Sequence, residues 1–90
     1  MIKHLNILIS GAVQNVGFRW ETKKYADQAG ILGFVLNQPD GKVYIEAEGS
    51  AADLEKFLNW CASSPGSARV KNVELSESAI QNFSGFEIRK

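Results

Sequence analysis

Between Ser10 and Arg19 the chain reads Ser-Gly-Ala-Val-Gln-Asn-Val-Gly-Phe-Arg, a short loop with two glycines that ends on an arginine. A guanidinium offers a planar fork of donors that matches phosphate oxygens. Gly11 and Gly17 permit tight turns and close approach of a ligand to the backbone. If a helix begins at Phe18, the amides just before it lack intrahelical partners, and the helix dipole favours negative charge there. The chemistry on offer is capture of an anion, a phosphate in particular. The same spacing is equally compatible with a plain strand-to-helix connection carrying a solvated arginine.

The flanking segments have the periods needed to hold such a loop. His4 to Ser10 alternates, with Leu5, Ile7 and Ile9 on one face, and reads as a half-buried strand; Leu8 suits a central strand covered in part on both sides. From Phe18 the apolar spacing becomes helical through Thr22, Tyr25, Ala26 and Ala29, and Gly30 stands where a helix would end. Gly33 to Asn37 is a short apolar strand. Pro39-Asp40-Gly41 is a turn, and Val43, Ile45 and Ala47 alternate beyond it, so the two strands should form an antiparallel hairpin. Ser50 to Asp53 has the pattern of a helix cap, followed by a second apolar stripe of Leu54, Phe57, Leu58 and Cys61. Ala68 to Glu77 reads as a fourth strand whose alternation is restored by one bulge near Lys71-Asn72. Phe86 and Ile88 mark a short closing strand. Strand, helix, strand, strand, helix, strand plus a terminal strand is an α+β pattern: a ferredoxin-like split βαβ sandwich with two helices on one face of a mostly antiparallel sheet.

Gly11 to Arg19 resembles the signature of the acylphosphatase family, G-x-V-Q-G-V-x-F-R. Gly33 to Val43 is similar to that family's second motif, G-x-V-x-N-x-x-D-G-x-V, and Ser84 to Arg89 matches its usual close. The resemblance covers essentially the whole chain, with the motifs in order. It implies hydrolysis of a small acyl phosphate to a carboxylate and inorganic phosphate. It further implies that Arg19 grips the phosphate together with the loop amides of Gln14, Asn15, Val16, Gly17 and Phe18, and that Asn37 positions the attacking water. Read without the resemblance, Asn37 is a turn-entry residue bonded to its own backbone. One departure stands out. Asn15 occupies a position where the family carries glycine, and asparagine is the non-glycine residue best suited to positive φ. If Asn15 crowds the cradle, the alternative is a non-catalytic phosphate-binding module of the same fold.

The implied substrate explains why so few groups are present. A carboxylate leaving group has a conjugate acid of pKa roughly 4, so it departs at neutral pH without a general acid. What remains is to hold the phosphoryl group in line and stabilise its charge. No cofactor or metal is expected. His4, the only histidine, reads as an ordinary strand position, and Cys61 as a packing residue. Trp20 and Trp60 both lie off the core stripes of their helices.

The 90 residues suit one domain spanning 1–90. Ten acidic and ten basic residues balance, which argues against a nucleic-acid partner. A lone cysteine excludes an internal disulfide, and no apolar run approaches the roughly 20 residues of a membrane span. The expected protein is a cytoplasmic monomer with no membrane association.

Overall fold

The computed structural model describes residues Met1–Lys90. Its elements are β1 (Ile2–Ala12), α1 (Phe18–Ala29), β2 (Leu32–Asn37), β3 (Val43–Ser50), α2 (Ala51–Ala62), β4 (Arg69–Ser78) and β5 (Phe86–Arg89). The strands lie in the order β4-β1-β3-β2-β5. Only the β2–β5 pair is parallel. This is the ferredoxin-like split βαβ arrangement read from the sequence, extended by one edge strand.

The alternation in the strands decides which face meets the helices. Leu5, Ile7 and Ile9 of β1, Val35 of β2 and Val43, Ile45 and Ala47 of β3 are all buried, and they join Phe18 and Ala26 of α1 and Leu54, Phe57 and Cys61 of α2 in one apolar cluster. Fully burying each Val, Leu, Ile or Phe side chain among these contributes about 1.5–3 kcal/mol, the largest favourable term available to so small a chain. Ser50 caps α2 by accepting from the Asp53 amide at 3.1 Å, a contact worth about 1 kcal/mol. The expected bulge is present. Ser10 pairs with Asn72 but Gly11 with Val70, so Lys71 is the extra residue. Gly11 is required beside it: its φ is +130°, and a Cβ there would overlap the Arg69 carbonyl.

Trp60 departs from the sequence reading. Although off the α2 stripe, it is half-buried against the core and stacks on Tyr25 of α1 at 4.8 Å between ring centroids. The helices touch each other as well as the sheet, so the helix–helix seam buries a residue that a sheet-facing stripe leaves out. Trp20 remains exposed. No helix is long and apolar enough to cross a membrane.

Topology brings the ends of three strands together. β1 and β2 both run antiparallel to β3, so they point the same way, and β5 runs parallel to β2. The loop after β1, Asn37 at the end of β2 and the last residues of β5 therefore meet at one end of the sheet.

Candidate active site

At that end lies a small cleft of about 170 Å³. It falls below the roughly 300 Å³ at which sites for drug-sized ligands begin, so it suits a compact ligand. Asn15, Gly17, Phe18, Arg19 and Asn37 line it, with Val13, Trp20 and Ile88 completing the walls. Of the residues singled out in the sequence, Gln14 and Val16 lie outside this lining. Val16 instead packs against the core, and the Gln14 side chain reaches across to the β2–β3 hairpin.

The loop takes its shape from two residues with positive φ. Gly17, at +77°, is the residue preceding α1, and Asn15 sits at +62°. Asn15 thus occupies the left-handed conformation that glycine would take, with its side chain exposed. The resulting backbone leaves its donors free. The first helical hydrogen bond runs from the Glu21 amide to the Gly17 carbonyl at 3.0 Å, and the amides of residues 14–20 meet no protein acceptor. Such groups at a helix start attract an anion.

Arg19 is the only charged residue lining the cleft. It forms no ion pair; one nitrogen donates to the Arg89 carbonyl at 3.4 Å, which draws it toward the end of β5. The Arg89 guanidinium is engaged elsewhere, paired with Glu87 at 2.7 Å and lying over the Phe34 ring. Positive charge in the cleft is therefore not neutralised by a neighbouring carboxylate. Asn37 carries the other unspent polar group. Its Oδ1 is buried and has no hydrogen-bond partner, an uncommon state for a buried polar atom. The turn-entry reading, with the side chain bonded to its own backbone, does not describe it.

Sequence reasoning missed a second polar cluster, on the sheet face away from the helices. His4 is almost completely buried, with Nδ1 2.7 Å from Glu48 Oε2 and Nε2 2.9 Å from Glu46 Oε1. Asn6 Oδ1 also faces Nε2 at 3.1 Å. Both ring nitrogens point at acceptors, which favours the imidazolium. Burial alone would lower the His4 pKa, but the bonds to Glu48 and Asn6 and the field of Glu46 outweigh it and raise the value. Burial likewise opposes charge on Glu48, yet the Gln81 amide, His4 and the Phe83 amide together hold its pKa below the ordinary range. Through those amides Glu48 ties the β4–β5 connection across the sheet, and Phe83 stacks on His4. His4 is thus a structural ion-pair residue rather than an ordinary strand position. Its carboxylate partners Glu46 and Glu48 stand on β3, far along the chain, and no periodicity announces them. Cys61 is buried, and burial pushes its thiol pKa up to about 12, as a packing residue requires.

Comparison with known proteins agrees with this geometry. A family model described as acylphosphatase matches residues 5–88. The chain is 46% identical over 84 residues to an acylphosphatase of Archaeoglobus fulgidus, covering 93% of this chain and 94% of that one. It is 41% identical over 88 residues to an acylphosphatase of Thermotoga maritima, covering 98% of each. Among solved structures, the crystal structure of acylphosphatase from Bacillus subtilis superposes with a TM-score of 0.94 at 31% identity, covering 100% of both chains. The chain belongs to the acylphosphatase family.

Proposed function

We propose that this acylphosphatase seats the phosphoryl group of its substrate between the Arg19 guanidinium and the loop amides of Gln14, Asn15, Val16, Gly17 and Phe18, with Asn37 orienting the attacking water. The observation that carries this reading is that one cleft holds an arginine free of any ion pair together with Asn15, Gly17 and Phe18, whose amides, like those of Gln14 and Val16, meet no protein acceptor. Fixed donors of this kind stabilise developing charge with little reorganisation. Asn37 is suited to its role because its terminal torsion is soft and broadly two-fold. A half-turn exchanges its nitrogen and oxygen, so the carboxamide can present either a donor or an acceptor to a water.

In the proposed reaction, the water oxygen bonds to phosphorus as the bond between phosphorus and the acyl oxygen breaks. The electron pair leaves on the carboxylate, and the water proton passes to the phosphate product or solvent. Because the leaving carboxylate is stable at neutral pH, no group need protonate it, and the step requires no metal or cofactor. Trp20 and Ile88, which line the same cleft and carry exposed apolar surface, would offer that surface to the acyl group. We propose further that residues 1–90 form one domain acting as a cytoplasmic monomer without nucleic-acid or membrane partners; the balance of ten acidic and ten basic residues supports the absence of a nucleic-acid partner.

The test is hydrolysis of benzoyl phosphate, with EDTA present, by the native chain, Arg19→Ala and Arg19→Lys. The native chain should turn over undiminished in EDTA. Arg19→Ala should lose at least about 10²–10³ in kcat/KM, the usual cost of removing one preorganised donor. Arg19→Lys should recover only part, since an ammonium lacks the planar fork. An Arg19→Ala enzyme of native activity would overturn the assignment. Asn15, whose side chain lines the cleft, favours one competing reading, a phosphate-binding module without turnover. Phosphate binding by a native chain that leaves benzoyl phosphate intact would establish it instead.

A further inference from the structure

Gln14 is the signature-loop residue whose side chain hydrogen-bonds to the β2–β3 hairpin. Its Nε2 donates to the Gln38 carbonyl at 2.8 Å and to the Lys42 carbonyl at 2.9 Å. Those carbonyls bracket the turn that follows Asn37. The Gln38 amide donates to the Lys42 carbonyl at 2.8 Å, and the Gly41 amide to the Gln38 carbonyl at 3.2 Å. One carboxamide NH₂ thus spans the base of the hairpin. Because both partners are acceptors, its nitrogen must face them, and its orientation is fixed by chemistry.

Asn37 needs such support. No hydrogen bond restrains its side chain, so its place relative to the cradle depends on its backbone. That backbone pairs with Val43 and continues directly into Gln38. The loop and Asn37 belong to β1 and β2, which are separated in the sheet by β3. The Gln14 bridge is a direct tie between the two.

We propose that Gln14 is a positioning residue, holding the hairpin so that Asn37 keeps a fixed distance from the bound phosphoryl group. This rests on Asn37 being the group that orients water. Gln14 itself touches neither water nor phosphate through its side chain; it acts through Asn37.

The experiment is a double-mutant cycle with benzoyl phosphate, using Gln14→Met, which keeps length and loses the donor, and Asn37→Ala. Misplacement of a reacting group by about 1 Å costs on the order of 10²-fold, so Gln14→Met should lower kcat about 10–100-fold. The inhibition constant of inorganic phosphate should change less than about threefold, because the Arg19 fork and the amides remain. In the Asn37→Ala background Gln14→Met should cause no further loss of kcat. An equal loss in both backgrounds would show that Gln14 acts independently of Asn37 and overturn the proposal, as would native kcat in Gln14→Met alone. Native kcat in Asn37→Ala would instead sink the water-orienting role itself, and this proposal with it. If Gln14→Met does not fold, Gln14→Asn, which keeps the amide but falls one carbon short, takes its place with the same expected outcomes.

Discussion

Replacing Asn37 by alanine should make the protein a far poorer enzyme without making it less stable. The buried, unpartnered Oδ1 carries a desolvation cost of about 1–3 kcal/mol that no hydrogen bond offsets. Truncation removes that cost. It also removes the contacts of a half-buried side chain, at a loss of about 1 kcal/mol. The balance is a stability change between neutral and about 2 kcal/mol favourable. A domain of 60–100 residues shifts its midpoint by about 4–8 °C per kcal/mol, so Tm should be unchanged or raised by up to about 16 °C. Turnover should move the other way, by about 10²–10³ in kcat. Differential scanning calorimetry and steady-state hydrolysis of benzoyl phosphate measure the two together. Asn37→Asp is the informative companion: nearly isosteric, it places a carboxylate beside a site for an anion and should weaken phosphate binding as well as turnover. A Tm for Asn37→Ala more than about 4 °C below native would refute the reasoning, since it would mean the side chain is held by favourable contacts. Stabilisation with native kcat would refute the catalytic half.

Other outcomes follow from the loop and the buried ion pair. Asn15→Gly should alter kcat/KM by less than about threefold, because the backbone already adopts the left-handed conformation. Asn15→Val, a β-branched residue poorly tolerated at positive φ, should lower both Tm and activity. A large gain in Asn15→Gly, measured by the same assay, would show the native side chain crowding the cradle. Glu48, whose folded pKa is lowered, contributes stability present above its ordinary 4.5 and lost as pH falls through the folded value. His4, whose folded pKa is raised, contributes stability present below its ordinary 6.5 and lost as pH rises through the folded value. Both contributions are complete between about pH 4.5 and 6.5. Urea midpoints measured from pH 3 to 9 should show the stability difference between the native chain and Glu48→Gln largest in that window. A difference independent of pH would contradict the pairing.

The parts of the molecule that announced themselves in the sequence did so through short-range signals. The β1 alternation, the α1 stripe and the Pro39-Asp40-Gly41 turn are local patterns with one physical solution each. Even the bulge at Lys71 was legible, because Val70 and Val73 cannot share a face without an extra residue. Spacing alone left Arg19 and the loop balanced between an anion site and a plain connection; the signature decided for the former, and Asn37 joined them only through the second motif. What stayed hidden was long-range. Trp60 is half-buried by a neighbouring helix whose approach no stripe on α2 encodes. The Gln14 side chain finds partners 24 and 28 residues away. His4 and Glu48 look like a strand histidine and a strand glutamate until the irregular β4–β5 connection is laid across them.

Because the cleft gathers Arg19, Asn37 and Ile88 onto one end of the sheet, its pieces are remote along the polypeptide. Assemblies dominated by large sequence separation carry high contact order and form slowly, with loop-closure entropy opposing each pairing. No fragment of this chain brings the three segments together. Recovery of hydrolysis during refolding should therefore report completion of the last strand pairing, and catalysis becomes a clock for the global transition.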